Sequence, residues 1–174
     1  MPPKKTNKDA NDNKKSTAAN QDQASNQVDN QASDVKLNVH TQFIKDLSFE
    51  NPNAPQSLIS GNKPKINLGI NVEANALNDN NFEVAIKIKA EALNEDKNVF
   101  LLELEYAGLI ELHCADASLK QQILMIHCPN LLFPFARAVV ANTTRDAGFP
   151  PLMMSPVDFS ALYANQMQQQ AQSN

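Results

Sequence analysis

The sequence has no tryptophan, only two cysteines and only four glycines among its 174 residues. Two cysteines, Cys114 and Cys128, cannot build a disulfide framework, and in a reducing compartment they read as buried thiols. With so few glycines there is no Gly-rich loop to cradle phosphates, which argues against nucleotide binding. No stretch reaches about 18 uninterrupted apolar residues, the length a membrane-crossing helix needs. The opening MPPKKTNKDANDNKK lacks an apolar region that would serve as a secretory signal. The chain is therefore expected to be cytoplasmic, without membrane insertion.

What is present is a 42 % hydrophobic content, enough for a core in one domain. Charge is unevenly divided. Residues 1–36 hold six lysines against five aspartates, and the remainder carries 9 basic and 14 acidic side chains, a net of −5. An acidic folded part repels nucleic-acid phosphates and suits a basic protein partner. Residues 1–36 are rich in Asn, Gln, Asp, Lys, Ala and Ser and lack aromatic residues, so they cannot bury enough apolar area to offset their ordering entropy; a disordered tail is expected there. Fraying is expected in the polar QMQQQAQSN at the other end, with 171–174 disordered.

From Leu37 the pattern has period two. In LNVHTQFIKDLSFE, Leu37, Val39, Phe43, Leu47 and Phe49 alternate with polar residues, which predicts a strand with one buried face. KINLGINVEANAL, FEVAIKIKAEAL and VFLLELEYAGLIELH repeat the signal and form a meander, the first two joined at NDNN. In the last of them Phe100, Leu102, Leu104, Tyr106, Ile110 and Leu112 share a face, with Leu101, Glu103, Glu105 and Glu111 opposite. Between strands one and two, ENPNAPQSLISGNKP is too long for a hairpin and too rich in Pro and Asn for regular structure. If it crosses the sheet, strand one pairs with strand four in a Greek key and their acidic faces become neighbours.

After Asp116, an N-cap candidate, the apolar spacing becomes helical through Val140. Five prolines then divide an apolar stretch: Pro129 and Pro134 predict a kink or a late helix start, Gly148 a left-handed helix end, and Pro150 and Pro151 an extended arm. Ser155, Pro156 and Asp158 read as the start of a second helix, with Ser155 as its cap. Phe149, Leu152, Met153 and Met154 fall on an arm with no period of its own, suited to adaptable contacts.

His113-Cys114 and His127-Cys128 look like four metal ligands. Neighbouring residues point to opposite faces of a strand, or about 100° apart on a helix, so neither pair converges on one ion, and no metal or other cofactor is expected. Neither cysteine has the local partners of a nucleophile, so the chain is not read as an enzyme.

Three segments, KDLSFENPNAP (45–55), CPNLLFPFAR (128–137) and GFPPLMMSPVDFSALYANQMQQQ (148–170), resemble the SecB protein-export chaperone family in order and separation. The resemblance covers residues 37–170. It implies an α+β fold, a four-stranded antiparallel Greek-key sheet plus two helices, assembled as a homotetramer that is a dimer of dimers. It also implies binding of unfolded preproteins without ATP and delivery to the SecA motor. The positions matching the family's SecA-docking patch are Asp46, Glu50, Leu101 and Glu103, which the strand phasing independently places on polar faces. Those matching the tetramer interface are Phe100, Leu102, Leu104 and Tyr106. For the client groove, position favours Leu58, Ile59, Leu152, Met154, Phe159 and Tyr163. Where the family commonly has a tryptophan in the crossover loop this chain has Asn62, which weakens the expectation of an aromatic pocket. Two other functions fit less well: a related chaperone serving a toxin–antitoxin pair, and a small enzyme using the groove as a substrate pocket.

Overall fold

The computed structural model describes residues 35–59, 63–95 and 97–172. The expected disorder of the tail concerns residues almost wholly outside that range, and Asn62 also lies outside it. Four strands, β1 (Lys36–Glu50), β2 (Lys65–Ala76), β3 (Asn81–Asn94) and β4 (Lys97–His113), form an antiparallel sheet in the order β1-β4-β3-β2. Strand one thus pairs with strand four, and the crossover connection spans the sheet. That connection is not wholly irregular: it contains a short helix, α1 (Gln56–Ile59). Its Asn and Ser side chains supply the bonds its backbone cannot make in a ladder, Asn53 donating to the Asn98 carbonyl (2.7 Å) and Ser57 to Asn51 (2.8 Å). At NDNN the Asn78 side chain accepts from the Asn80 and Asn81 amides (3.2 and 3.0 Å), an Asx turn that reverses the chain into β3.

The even residues of β3 and β4 face the core: Val84, Ile86, Ile88 and Ala90 lie against Leu102, Leu104 and Ile110. Three helical segments follow the sheet, α2 (Ala117–Gln122), a π-helical turn Ile123–His127 and α3 (Cys128–Asp146). The Asp116 carboxylate caps α2 by accepting from the Ser118 and Leu119 amides (2.8 and 3.1 Å). Of the kink or late start that Pro129 and Pro134 predicted, the late start is not seen: the helical run continues through Pro134, with the π-helical turn directly before Cys128 and Pro129. Taken as one run, Ala117–Asp146 is long and apolar enough to cross a membrane, but its stripe Leu124, Cys128, Leu132, Ala136 and Val140 is buried in the same core as the sheet residues. Gly108 lets α3 approach β4 closely, since a Cβ there would lie 2.8 Å from a Leu132 methyl.

Helix α3 ends as Gly148 predicted. Its φ is +89°, its amide donates to the Arg145 carbonyl (3.0 Å), and the Phe149 amide reaches back to Thr144 (3.1 Å), a Schellman pattern. Buried Thr144 then fixes the extended arm, its hydroxyl donating to the Val140 carbonyl (3.0 Å) and accepting from the Leu152 amide (2.9 Å). The last helix, α4 (Phe159–Gln172), starts later than Ser155 would have it: Asp158 is the cap, accepting from the Ala161 amide (3.0 Å). It also runs on to Gln172, past the expected fraying point, in a segment of good helix formers.

The phasing of β1 was only partly right. Register shifts at His40 and Lys45 insert two bulges, so Leu37, Val39, Leu47 and Phe49 keep to the core-side face while Phe43 pairs with Ala107 on the other. Each bulge adds one residue to β1 opposite β4, which reverses the alternation for the stretch between them.

Candidate functional site

Two surfaces of this fold carry the residues of interest. The first is an apolar cavity of about 470 Å³ where the crossover connection, the ends of β2 and β4 and the proline arm meet. Leu58, Ile66, Phe100, Phe149, Pro150 and Leu152 are among its walls. Phe100 and Phe149, ring centroids 5.1 Å apart, form a cluster with Phe49, which stacks on Phe100 at 5.4 Å. Such tilted and offset contacts are favourable geometries for aromatic pairs. The cavity is therefore aromatic even though the chain has no tryptophan. Gly148 belongs to it too: a Cβ there would sit 3.4 Å from Leu58.

Of the six expected groove residues, the structure brings Leu58 and Leu152 to the cavity. Ile59 is exposed beside Leu58, and Tyr163 is half-buried on α4 away from the cavity lining. Met154 and Phe159 do not line the cavity. At 3 % and 1 % exposure they belong to the core, Phe159 packing edge-on against Phe133 at 5.7 Å. The arm turns Met154 inward and leaves Met153 outward, 65 % exposed. Phe149 was noted in the sequence only as part of the arm, and Ile66 only as a strand residue; no periodic signal marks either as lining, because the cavity is made by elements distant in sequence.

The expected interface set is also placed differently. Phe100, Leu102, Leu104 and Tyr106 are 3, 0, 2 and 8 % exposed within a single chain, because the helical layer already covers that face. Phe100 contributes instead to the cavity. Large apolar side chains that remain exposed include Ile44 and Leu47 on β1 and Leu131 and Phe135 on α3.

The second surface is the opposite face of the sheet. Register places Glu50 beside Leu101, Ser48 beside Glu103 and Asp46 beside Glu105, so Asp46 and Glu103 are diagonal neighbours across β1 and β4. Asp46, Glu50 and Glu103 are exposed and Leu101 is half-buried. Asp46 and Glu103 line one shallow depression with Lys87 and Lys89. Three ammonium groups thread this acidic surface. Lys45, tipped onto it by its bulge, bonds Glu83 (2.7 Å) and Glu105 (3.1 Å); Lys87 bonds Glu73 (2.7 Å); Lys89 lies 3.2 Å from Glu91 and 3.3 Å from Glu103. The carboxylates raise the pKa of each lysine, chiefly through those hydrogen bonds. Sequence reasoning missed these lysines, because only the register sets Lys87 and Lys89 opposite Glu105 and Glu103 and makes Lys45 a bulge residue.

At the far end of the same face, Glu111 accepts from His113 (3.0 Å) and faces His40 (3.2 Å). The His113 bond, followed by the nearby histidine charge, holds its carboxyl below the ordinary glutamate range. The two His-Cys pairs go separate ways. Cys114 donates to the Asp116 carbonyl (3.3 Å), and Cys128 is buried, its pKa pushed up to about 12 by desolvation. Among the described residues no group of three or more His, Cys, Asp and Glu side chains is arranged to hold a metal ion.

Residues 30–170 match the family described as preprotein translocase subunit SecB. A protein-export protein SecB from Bradyrhizobium sp. is 53 % identical over 78 % of this chain and 85 % of its own length, and one from Parvibaculum lavamentivorans is 52 % identical over 78 % and 81 %. The fold is similar to that of a SecB-like chaperone of Mycobacterium tuberculosis solved in complex with a peptide from an antitoxin, with a TM-score of 0.59 at 17 % identity, covering 70 % of this chain and 90 % of that one.

Proposed function

Because the chain belongs to the SecB family of export chaperones, we propose that it holds unfolded preproteins in its aromatic cavity without ATP, keeps them translocation-competent and delivers them to the SecA motor in the cytoplasm. One observation carries this reading: the same sheet has an open apolar cavity on one side and, on the other, exposed carboxylates grouped around Leu101. Each apolar client side chain buried in the cavity contributes about 1.5–3 kcal/mol. Each exposed charge contact on the other face contributes only about 0–1 kcal/mol, so motor binding is the sum of several and weakens with salt.

Assembly as a dimer of dimers belongs to the same proposal. The exposed apolar residues of edge strand β1 and of α3 are its support: Ile44 and Leu47 stand on the strand that ends the sheet among the described residues, and Leu131 and Phe135 are about half exposed on α3. Several cavities in one assembly would hold a long client by avidity. On this reading the chain is a binding protein and not an enzyme, in keeping with a buried Cys128 thiol far from a reactive thiolate.

The test replaces Asp46 and Glu103 together by lysine. SecA binding is expected to be lost while binding of a reduced, unfolded client persists. A double variant that still binds the motor normally removes the docking assignment; a wild-type chain that binds clients and ignores the motor favours the toxin–antitoxin role instead.

A further inference from the structure

We infer that Lys89 is a built-in competitor for the docking face, which occupies Glu103 until a more strongly cationic partner displaces it. The inference rests on the docking reading above and concerns its regulation.

The sequence sets Lys89 on β3 directly opposite Glu103 on β4, with Gly69 as its neighbour on β2. Gly69 carries no side chain, so the position directly opposite on β2 presents none to Lys89, and its ammonium lies 3.3 Å from Glu103 and 3.2 Å from Glu91. Glu91 in turn stands opposite Leu101, the apolar member of the docking set. One ammonium therefore bridges a docking carboxylate and the carboxylate beside the docking anchor. Lys89 and Glu103 are 52 % and 48 % exposed, so their contact is weak and exchangeable. A partner's lysine or arginine approaching Glu103 must first displace this intramolecular one. Partners with one or two cations gain little by the exchange, whereas a partner that also covers Leu101 and reaches Asp46 and Glu50 gains several contacts at once. The residue thus lowers affinity for every basic protein that uses Glu103, so that only a partner with several contacts still binds tightly.

Lys120 on α2 supplies the internal comparison, because its ammonium stands 5.9 Å over the Phe82 ring on the helical side of the sheet, away from the docking face. Binding of purified SecA is measured by calorimetry at low and high salt for the full-length wild type, Lys89→Gln and Lys120→Gln. Lys89→Gln is expected to bind about three- to five-fold more tightly at low salt, with the advantage shrinking at high salt. Lys120→Gln removes the same charge from the other side of the sheet and should change affinity by less than about two-fold. Client binding stays unchanged in both. Unchanged or weaker SecA binding by Lys89→Gln, in a chain whose wild type binds SecA, overturns this inference alone. A wild type that does not bind SecA overturns it together with the docking reading.

Discussion

Along β4, alternate side chains live in different surroundings. Leu102 and Leu104 are sealed beneath the helical layer, and Leu101 and Glu103, one residue away, stand on the outer face. On the sealed side, energy comes from dense apolar packing and a changed atom is felt by the whole fold. On the outer side it comes from weak, exchangeable charge contacts, and a changed residue is felt mainly by a partner. One strand therefore has a packed face that holds the chain together and an exposed face, and on the proposed reading the exposed face docks the motor without disturbing the core.

The largest effect that would break this comparison is on the sealed side. Leu102→Ala should cost about 2–5 kcal/mol in urea denaturation, because the side chain is fully buried in its own chain. If Leu102 served a subunit interface instead, the variant would change assembly and leave the stability of a diluted chain intact. Next in size is the cavity. Phe149→Ala should weaken an unfolded client by roughly ten-fold or more, read by fluorescence anisotropy, with little change in SecA affinity. The smallest effect concerns Glu111 on the outer face. Its ionised form is favoured in the folded chain, so the resulting stability is complete above the ordinary glutamate range and is lost as pH falls through the lowered folded value. Glu111→Gln should flatten that part of the acid limb in denaturation curves collected from neutral pH downward, and a limb identical to the wild type would mean the histidine contacts do nothing for stability.

Much of the fold was legible because it depends on period and punctuation. Alternation marked four strands, the length of ENPNAPQSLISGNKP pointed to a crossover, and Gly148 and Asp116 marked helix ends. The bulges at His40 and Lys45 were not legible, since an inserted residue leaves local alternation intact and only pairing with β4 shows that the phase has shifted. That hid Phe43 on the outer face and Lys45 among the carboxylates. Other misplacements had a common cause. Met154, Phe159 and the set of Phe100, Leu102, Leu104 and Tyr106 were assigned by their positions relative to the family, and position does not say which side chain turns inward or what covers an apolar face within one chain. The acidic residues were found, but the lysines that partly neutralise them were not.

The central claim is that clients and motor use opposite sides of one sheet. The direct measurement is calorimetric titration of the wild type, Phe149→Ala and the Asp46→Lys/Glu103→Lys double variant, each with an unfolded client and with SecA. Each variant is predicted to lose one ligand and keep the other at wild-type affinity. Loss of both ligands by either folded variant, or of the client by the double lysine variant, would contradict the account.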